Sequence, residues 1–256
     1  MKTTRPPMAP IARQSGFTII EMMVAVAISM VVLLGFTMTF VSMKQSFLSQ
    51  DKSSQLQDNE RLAMSILTAA GQEAGYYPKP ASLDSTQITA TTSTTYNGMS
   101  AGQAVTGTSA SGTTPESVSL AFAASANDSL ITCQGHTISA ADITAAPATA
   151  NGSVGVRNTF YVDSTNKTLN CIVQVNNGTD STYGGGTTQP LVTNVASMSV
   201  AYGVDAGSGS VSGYWPASGV SSWSTVKSVR ITLNFVNPYD ATATIPWVQT
   251  INLLNR

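Results

Sequence analysis

The sequence predicts an α+β protein in which one long N-terminal α-helix packs on an antiparallel β-sheet domain. Three observations predict it. Residues 17–43 form an apolar run whose only charge is Glu21. Residues 44–74 keep helical spacing with no proline. The text from residue 117 onward alternates apolar and polar side chains between turn-forming stretches.

Composition narrows the class. Of 256 residues 42% are apolar and only 10% charged, enough for one sizeable domain beside a membrane element. Much of the apolar weight lies in the first 43 residues, and the remainder is rich in Ser, Thr, Ala, Gly and Asn. That mixture suits β-structure with long polar loops, and an exported protein more than a helical cytosolic enzyme. Net charge is −1, but Lys2, Arg5 and Arg13 all fall in residues 1–16, which hold no acid. The chain beyond carries nine basic against thirteen acidic side chains, a balance of −4. Its later basic residues, Arg157, Lys167, Lys227, Arg230 and Arg256, stand singly. A nucleic-acid surface needs them clustered, so no nucleic-acid site is expected.

The elements follow in order. Residues 1–16 are a short positive leader containing Pro6 and Pro7. Residues 17–43 are long enough to cross a bilayer core, which takes about 20 apolar residues as a helix. The basic leader places the N-terminal end in the cytoplasm. Residues 44–76 continue as an amphipathic half, with Leu48, Leu56, Ala63, Ile66, Leu67 and Ala70 on one face, and Gly75 and Pro78 as the stop. A single helix of about 55 residues, roughly 80 Å long, would result. Residues 77–116 are a Ser/Thr/Gly-rich connection. A β-rich domain fills 117–256, with strands expected near 117–124, 158–163, 168–175, 191–202, 226–235 and 244–254. Val229, Ile231, Leu233 and Phe235 alternate with Arg230, Thr232 and Asn234, the pattern of one sheet with one buried face. The amphipathic half of the helix is its natural cover.

Glu21 is the anomaly. A carboxylate within a membrane helix costs roughly 3 kcal/mol, and less near the interface. The text after Met43, "KQSFLSQDK", lacks a small-x-small signal cleavage site. A cut between Gly16 and Phe17 would instead create an amine four residues before Glu21. Amine and carboxylate could then pair between neighbouring helices.

The stretch "GFTIIEMMVAVAIS", with Gly16, Phe17, Thr18, Glu21 and an unbroken apolar continuation, resembles the N-terminal motif of type IV prepilins and type II secretion pseudopilins. The resemblance implies cleavage after Gly16 by a prepilin peptidase and N-methylation of Phe17, with Phe17 and Glu21 serving in assembly. Three further patches, "NERLAMSILTAAGQEAGYYP", "LVTNVASMSVAYGVD" and "VSSWSTVKSVRITLNF", are similar to PilW-type minor pilins, as is the closing "VQTINLLNR". A type IV pilin-like fold is thereby implied. So is a minor pilin that primes filament assembly and sits at or near the tip, in support of twitching motility, adhesion or DNA uptake. Implied partners are the peptidase, other minor pilins, the major pilin, the inner-membrane assembly platform and a large tip adhesin. The implied location is the bacterial inner membrane, single-pass with a periplasmic C-terminal domain, and then the extracellular pilus. Three positions depart from the pattern. Ser15 stands where a basic residue is common, Met38 where major pilins often carry proline, and "AGSGS" follows Asp205, so no ion-binding role carries over to Asp205. The alternatives are a J-type minor pseudopilin of a secretion system, and a membrane-anchored periplasmic enzyme or binding protein.

Other residues were weighed for chemistry. In an exported domain the isolated pair Cys133 and Cys171 reads as a disulfide, with two separate buried thiols as the alternative. His136 is the only histidine, and with the two cysteines it falls one ligand short of a closed zinc site. "YGGGTT" at 183–188 and "GSGS" at 207–210 lack the Lys-Ser/Thr of a phosphate loop. Trp215, Trp223, Trp247, Tyr202, Tyr214 and Tyr239 read as strand-packing aromatics, and the Asn-x-Ser/Thr triplets at Asn127, Asn151, Asn166 and Asn177 as chance. No cofactor and no catalysis are expected.

Overall fold

The computed structural model describes residues 16–77, 99–100, 103–125, 128–139, 154–175 and 188–254. The leader up to Ser15, most of the Ser/Thr-rich connection, residues 183–187 of the glycine run, and Asn127, Asn151 and Asn177 lie outside the described residues. The chain divides into two compact units, Met1–Asp51 and Lys52–Arg256.

A single helix, α1, runs from Ile19 to Glu73 over 55 residues. Within the first unit its side chains are exposed, large apolar ones included, from Phe17 through Met43. Within the second unit it buries one stripe made of Glu60, Ala63, Met64, Leu67, Ala70 and Gly71. Spacings of three and four put these on one helix face. Ala63, Ala70 and Gly71 of this stripe are small, which allows close approach: a Cβ at Gly71 would lie 2.5 Å from Ile251 Cγ2. The helix stops where Gly75 adopts φ +80°, a left-handed turn that glycine takes without strain. Gly75 N then donates to Ala121 O at 2.8 Å, and Tyr76 O accepts from Ala123 N at 2.8 Å. The chain leaving the helix is thus stitched to the sheet.

Among the described residues nine strands form two antiparallel sheets. The first is a meander of β1 (Val105–Thr108), β2 (Ser117–Ala124), β3 (Val154–Asp163), β4 (Thr168–Val175) and β5 (Gln189–Thr193), paired in sequence order. The second contains β6 (Val195–Asp205), β7 (Val211–Trp215), β8 (Val226–Asn237) and β9 (Asp240–Asn252), in the order β7-β6-β8-β9. Leu67 of α1, Phe122 and Phe160 of the first sheet, and Tyr202, Ile231, Leu233 and Phe235 of the second share one core.

This differs from the single sheet expected. The run 191–202, read as one strand, is broken at Asn194, whose φ of +63° turns the chain out of the first sheet and into the second. Both sheets hold that corner: Val195 N donates to Lys167 O at 2.9 Å and Val236 N to Asn194 O at 2.9 Å. β1, in the Ser/Thr-rich connection, and β7, in "VSGYW", carry no alternation that could have announced them. The first sheet is also buried on both faces along β2 and most of β3. Its second face is polar: Ser119 and Thr159 hydroxyls lie 2.8 Å apart, and the Arg157 guanidinium donates to the Gln174 side-chain oxygen. Burial holds the Arg157 pKa down at about 10.

Two side chains lock the sheets together. Tyr202, fully buried on β6, donates its hydroxyl to Ser117 O at 3.3 Å and meets Trp223 edge to face at 4.8 Å. Glu116, just before β2, accepts the Val200 N–H at 2.7 Å, satisfying a backbone donor on β6 beyond the reach of β7. Gly107 lies directly under the Tyr202 hydroxyl, where any Cβ would collide with it and with Ser117 O. Gly107→Ala is therefore expected to destabilise the domain by about 1–3 kcal/mol, as overpacking does. Chemical denaturation of the full chain in detergent measures this, and an unshifted midpoint would refute the sheet-locking contact.

Glu73, half-buried at the carbonyl end of α1, carries a second expectation. Burial pushes its pKa up to about 7 although the Ile131 N–H pulls it down. Its folded pKa lies above its unfolded value of 4.5, so the folded state binds more protons across that interval. Stability from this group is then greatest below pH 4.5 and falls as pH rises toward 7. Glu73→Gln should flatten the decline of Tm over that window. A slope identical to the parent's would assign the decline to other groups.

Candidate functional site

The chemistry-bearing end of the chain is the start of α1. Gly16, Phe17 and Thr18 precede the helix, and the Thr18 carbonyl accepts the Glu21 N–H at 3.1 Å and the Met22 N–H at 3.2 Å. Glu21 therefore sits in the first helical turn, where the unpaired N–H groups and the helix dipole favour an anion by roughly 0.3–1 kcal/mol. That local gain offsets part of the cost of placing a carboxylate beside apolar sequence. Gly16 has open space around its Cα, and Phe17 is 86% exposed. Gly16, Phe17 and Glu21 thus lie within one short exposed segment.

Beyond Glu21 three hydroxyls of the apolar run turn back onto the helix. The Ser29 hydroxyl donates to Val26 O at 2.9 Å, Thr37 to Leu33 O at 2.8 Å, and Thr39 to Gly35 O at 2.9 Å. Each hydroxyl is consumed by a carbonyl of its own helix, leaving a surface that lipid or another apolar helix can cover. By length and composition α1 can cross a membrane.

Cys133 and Cys171 are joined in a disulfide, with Cα atoms 6.4 Å apart, inside the range such bonds require. It ties the loop Ile131–Thr137 to the centre of β4. The same loop donates the Cys133 N–H to Asn158 Oδ1 of β3 at 3.2 Å. His136 is exposed at its tip, where its backbone N–H donates to Thr132 Oγ1 at 3.2 Å. Among the described residues no three His, Cys, Asp or Glu side chains are grouped to hold a metal. Asp205 uses its carboxylate to accept Gly207 N and Gly209 N, at 2.8 and 3.0 Å, so it builds its own glycine turn.

The aromatics divide into two sets. Tyr202 and Trp223 belong to the core, while Tyr214 holds Arg230 over its ring at 3.8 Å. Trp215, Trp247 and Tyr239 remain 39%, 40% and 59% exposed. Sequence reasoning missed Glu60, which looks like a solvent-facing helix acid in "DNERLA" but is only 6% exposed. The available signal was its position three residues before Ala63 and seven before Leu67, on the apolar stripe.

Residues 11–37 match the prokaryotic N-terminal methylation motif, and residues 159–243 match the type IV pilus-assembly protein W family. No curated protein matches the chain. The methylation motif and the apolar N-terminal helix fit a single-pass, membrane-anchored pilin. The two family matches support a PilW-like type IV pilin.

The disulfide is open to a direct test. Replacing both cysteines by alanine should cost roughly 4 kcal/mol for a sequence separation of 38. Equilibrium unfolding of the two forms measures it, and a loss below about 1 kcal/mol would show that the hydrogen bonds of the Ile131–Thr137 loop suffice without the covalent tie.

Proposed function

We propose that this protein is a minor pilin of the type IV pilus, a structural subunit that primes filament assembly and resides at or near the tip. Cleavage between Gly16 and Phe17 and methylation of Phe17 prepare it. The domain boundaries at residues 16, 43, 76 and 116 then separate leader, membrane half, amphipathic half, connection and β-domain. The observation that carries the reading is the start of α1: Glu21 in the first turn, followed by an apolar surface on which Ser29, Thr37 and Thr39 bond their hydroxyls to the helix itself.

The mechanism follows from that end. After cleavage the Phe17 amine and the Glu21 carboxylate lie four residues apart at the tip of an otherwise apolar helix. Opposite charges out of water gain far more from pairing than they do in water. A subunit entering a bundle of like helices is held in register when its Glu21 meets a neighbour's amine. Before assembly the helix is anchored in the inner membrane with the β-domain in the periplasm, and no catalysis is involved. Other minor pilins, the major pilin, the assembly platform and a large tip adhesin are the partners of this role, and twitching, adhesion or DNA uptake its outcome. A gene deletion that abolishes twitching and spares exoprotein secretion separates it from the pseudopilin alternative.

The mass of the N-terminal peptide, with and without the cognate prepilin peptidase, tests the reading. A peptide beginning at Phe17 with one added methyl, formed only when the peptidase is present, is expected. A peptide beginning at Met1 in both cases would reduce residues 17–43 to a plain anchor.

A further inference from the structure

The disulfide joins two cysteines that are held very differently. Cys171 is fully buried in the middle of β4, opposite Phe160 of β3 on one side and Gln189 of β5 on the other. Exposing its sulfur means parting β4 from its neighbours. Cys133 is 9% exposed and lies in the loop Ile131–Thr137, outside the named strands. Gly135, His136 and Thr137 beside it are exposed, and the space where a Gly135 side chain would point is open.

The loop is held to the first sheet by bonds that do not involve the sulfurs. The Cys133 N–H donates to Asn158 Oδ1 at 3.2 Å, and Gln134 Nε2 donates to Cys171 O at 3.3 Å. Its turn is built the same way, with Thr132 N donating to His136 O at 2.9 Å and Gly135 N to Thr132 O at 2.8 Å. Asn158 is buried on β3 in the alternation of Val156 and Phe160, with core residues Leu120 and Val173 as its strand partners. It stands diagonal to Cys171, the partner of Phe160. Among the described residues its Nδ2 finds no hydrogen-bond partner, a desolvation cost that an apolar side chain would avoid. What the amide contributes in return is the bond to Cys133.

We propose that this loop docks on the first sheet while both cysteines are still thiols, and that the two have separate roles in oxidation. Cys133 receives the oxidant, a donor bearing a reactive disulfide. Cys171 closes the bond, and Asn158 is the positioning residue that returns Cys133 to it. The Cys133 thiolate attacks one donor sulfur, forming a mixed disulfide and releasing one donor thiolate. The Cys171 thiolate then attacks Cys133 Sγ, forming the internal bond and releasing the second donor thiolate. Two protein thiols are oxidised, the donor disulfide is reduced to two thiols, and the two protons pass to these. The inference is independent of the pilin reading and requires only that the chain meet an oxidising compartment.

The test exposes the full chain in detergent to oxidised glutathione, using Cys171→Ser and Cys133→Ser as single-thiol forms, and follows the mixed disulfide by mass. Glutathione should reach Cys133 at least about tenfold faster than Cys171, because freeing β4 breaks more hydrogen bonds than lifting the loop. Adding Asn158→Leu should speed the Cys133 reaction about fivefold, the worth of one neutral hydrogen bond, and leave Cys171 unchanged. A purely structural Asn158 would loosen the domain and raise both rates alike. A pulse of N-ethylmaleimide on the reduced native chain, mapped by peptide mass, repeats the comparison of the two thiols without any substitution. Equal labelling, faster labelling of Cys171, or no reaction of either thiol in the folded chain would overturn the proposal. An Asn158→Leu effect on both cysteines, or on neither, would remove the positioning role.

Discussion

The unbroken hydrogen-bonded backbone of α1 is the constraint on which the other features depend. Because each interior peptide group of Ile19–Glu73 is satisfied within the helix, the segment can present an apolar exterior without stranding N–H or C=O groups. The side chains extend the same economy: Ser29, Thr37 and Thr39 return their hydroxyls to carbonyls of the preceding turn. The one group that escapes this internal accounting is Glu21, placed where the helix has unpaired donors to offer. The carboxylate is thereby tolerable in the single subunit and still free to take a cationic partner.

In the second unit the same helix serves as a wall. Its buried stripe is built from alanine and glycine with Met64 and Leu67, so the sheets approach closely, as at Gly71 against Ile251. Two sheets meeting on one helix leave a seam, and polar groups close it. Tyr202 reaches from β6 to Ser117 O, and Glu116 reaches from the start of β2 to Val200 N. Each bond satisfies a group that would otherwise be stranded in the core. Gly107 is demanded by the first of them, because no side chain fits beneath the phenol.

Ionisable groups are scarce in this chain, and several of the few it has are buried. Arg157 is held by Gln174 on the second face of the first sheet. Glu116 and Glu73 each accept a backbone N–H. Glu60 lies on the buried stripe of α1 and lines a groove opposite Trp247.

The sequence by itself determined the long helix, its apolar and amphipathic halves, the Gly75 stop and the strands with clean alternation, because these depend on spacing along the chain. The motif around Gly16, Phe17 and Glu21 was readable for the same reason, as chemistry held in six consecutive residues. The division into two sheets was decided by the tertiary structure. It turns on the left-handed Asn194 and on bonds to Lys167 and Val236, partners 27 and 42 residues away in sequence. β1 and β7 form because neighbouring strands offer them hydrogen bonds, a benefit their own text does not announce. Glu60 and Trp247, far apart in sequence, line one groove. Periodicity reports which face of an element is apolar, but only packing reveals which polar residue on that face is buried.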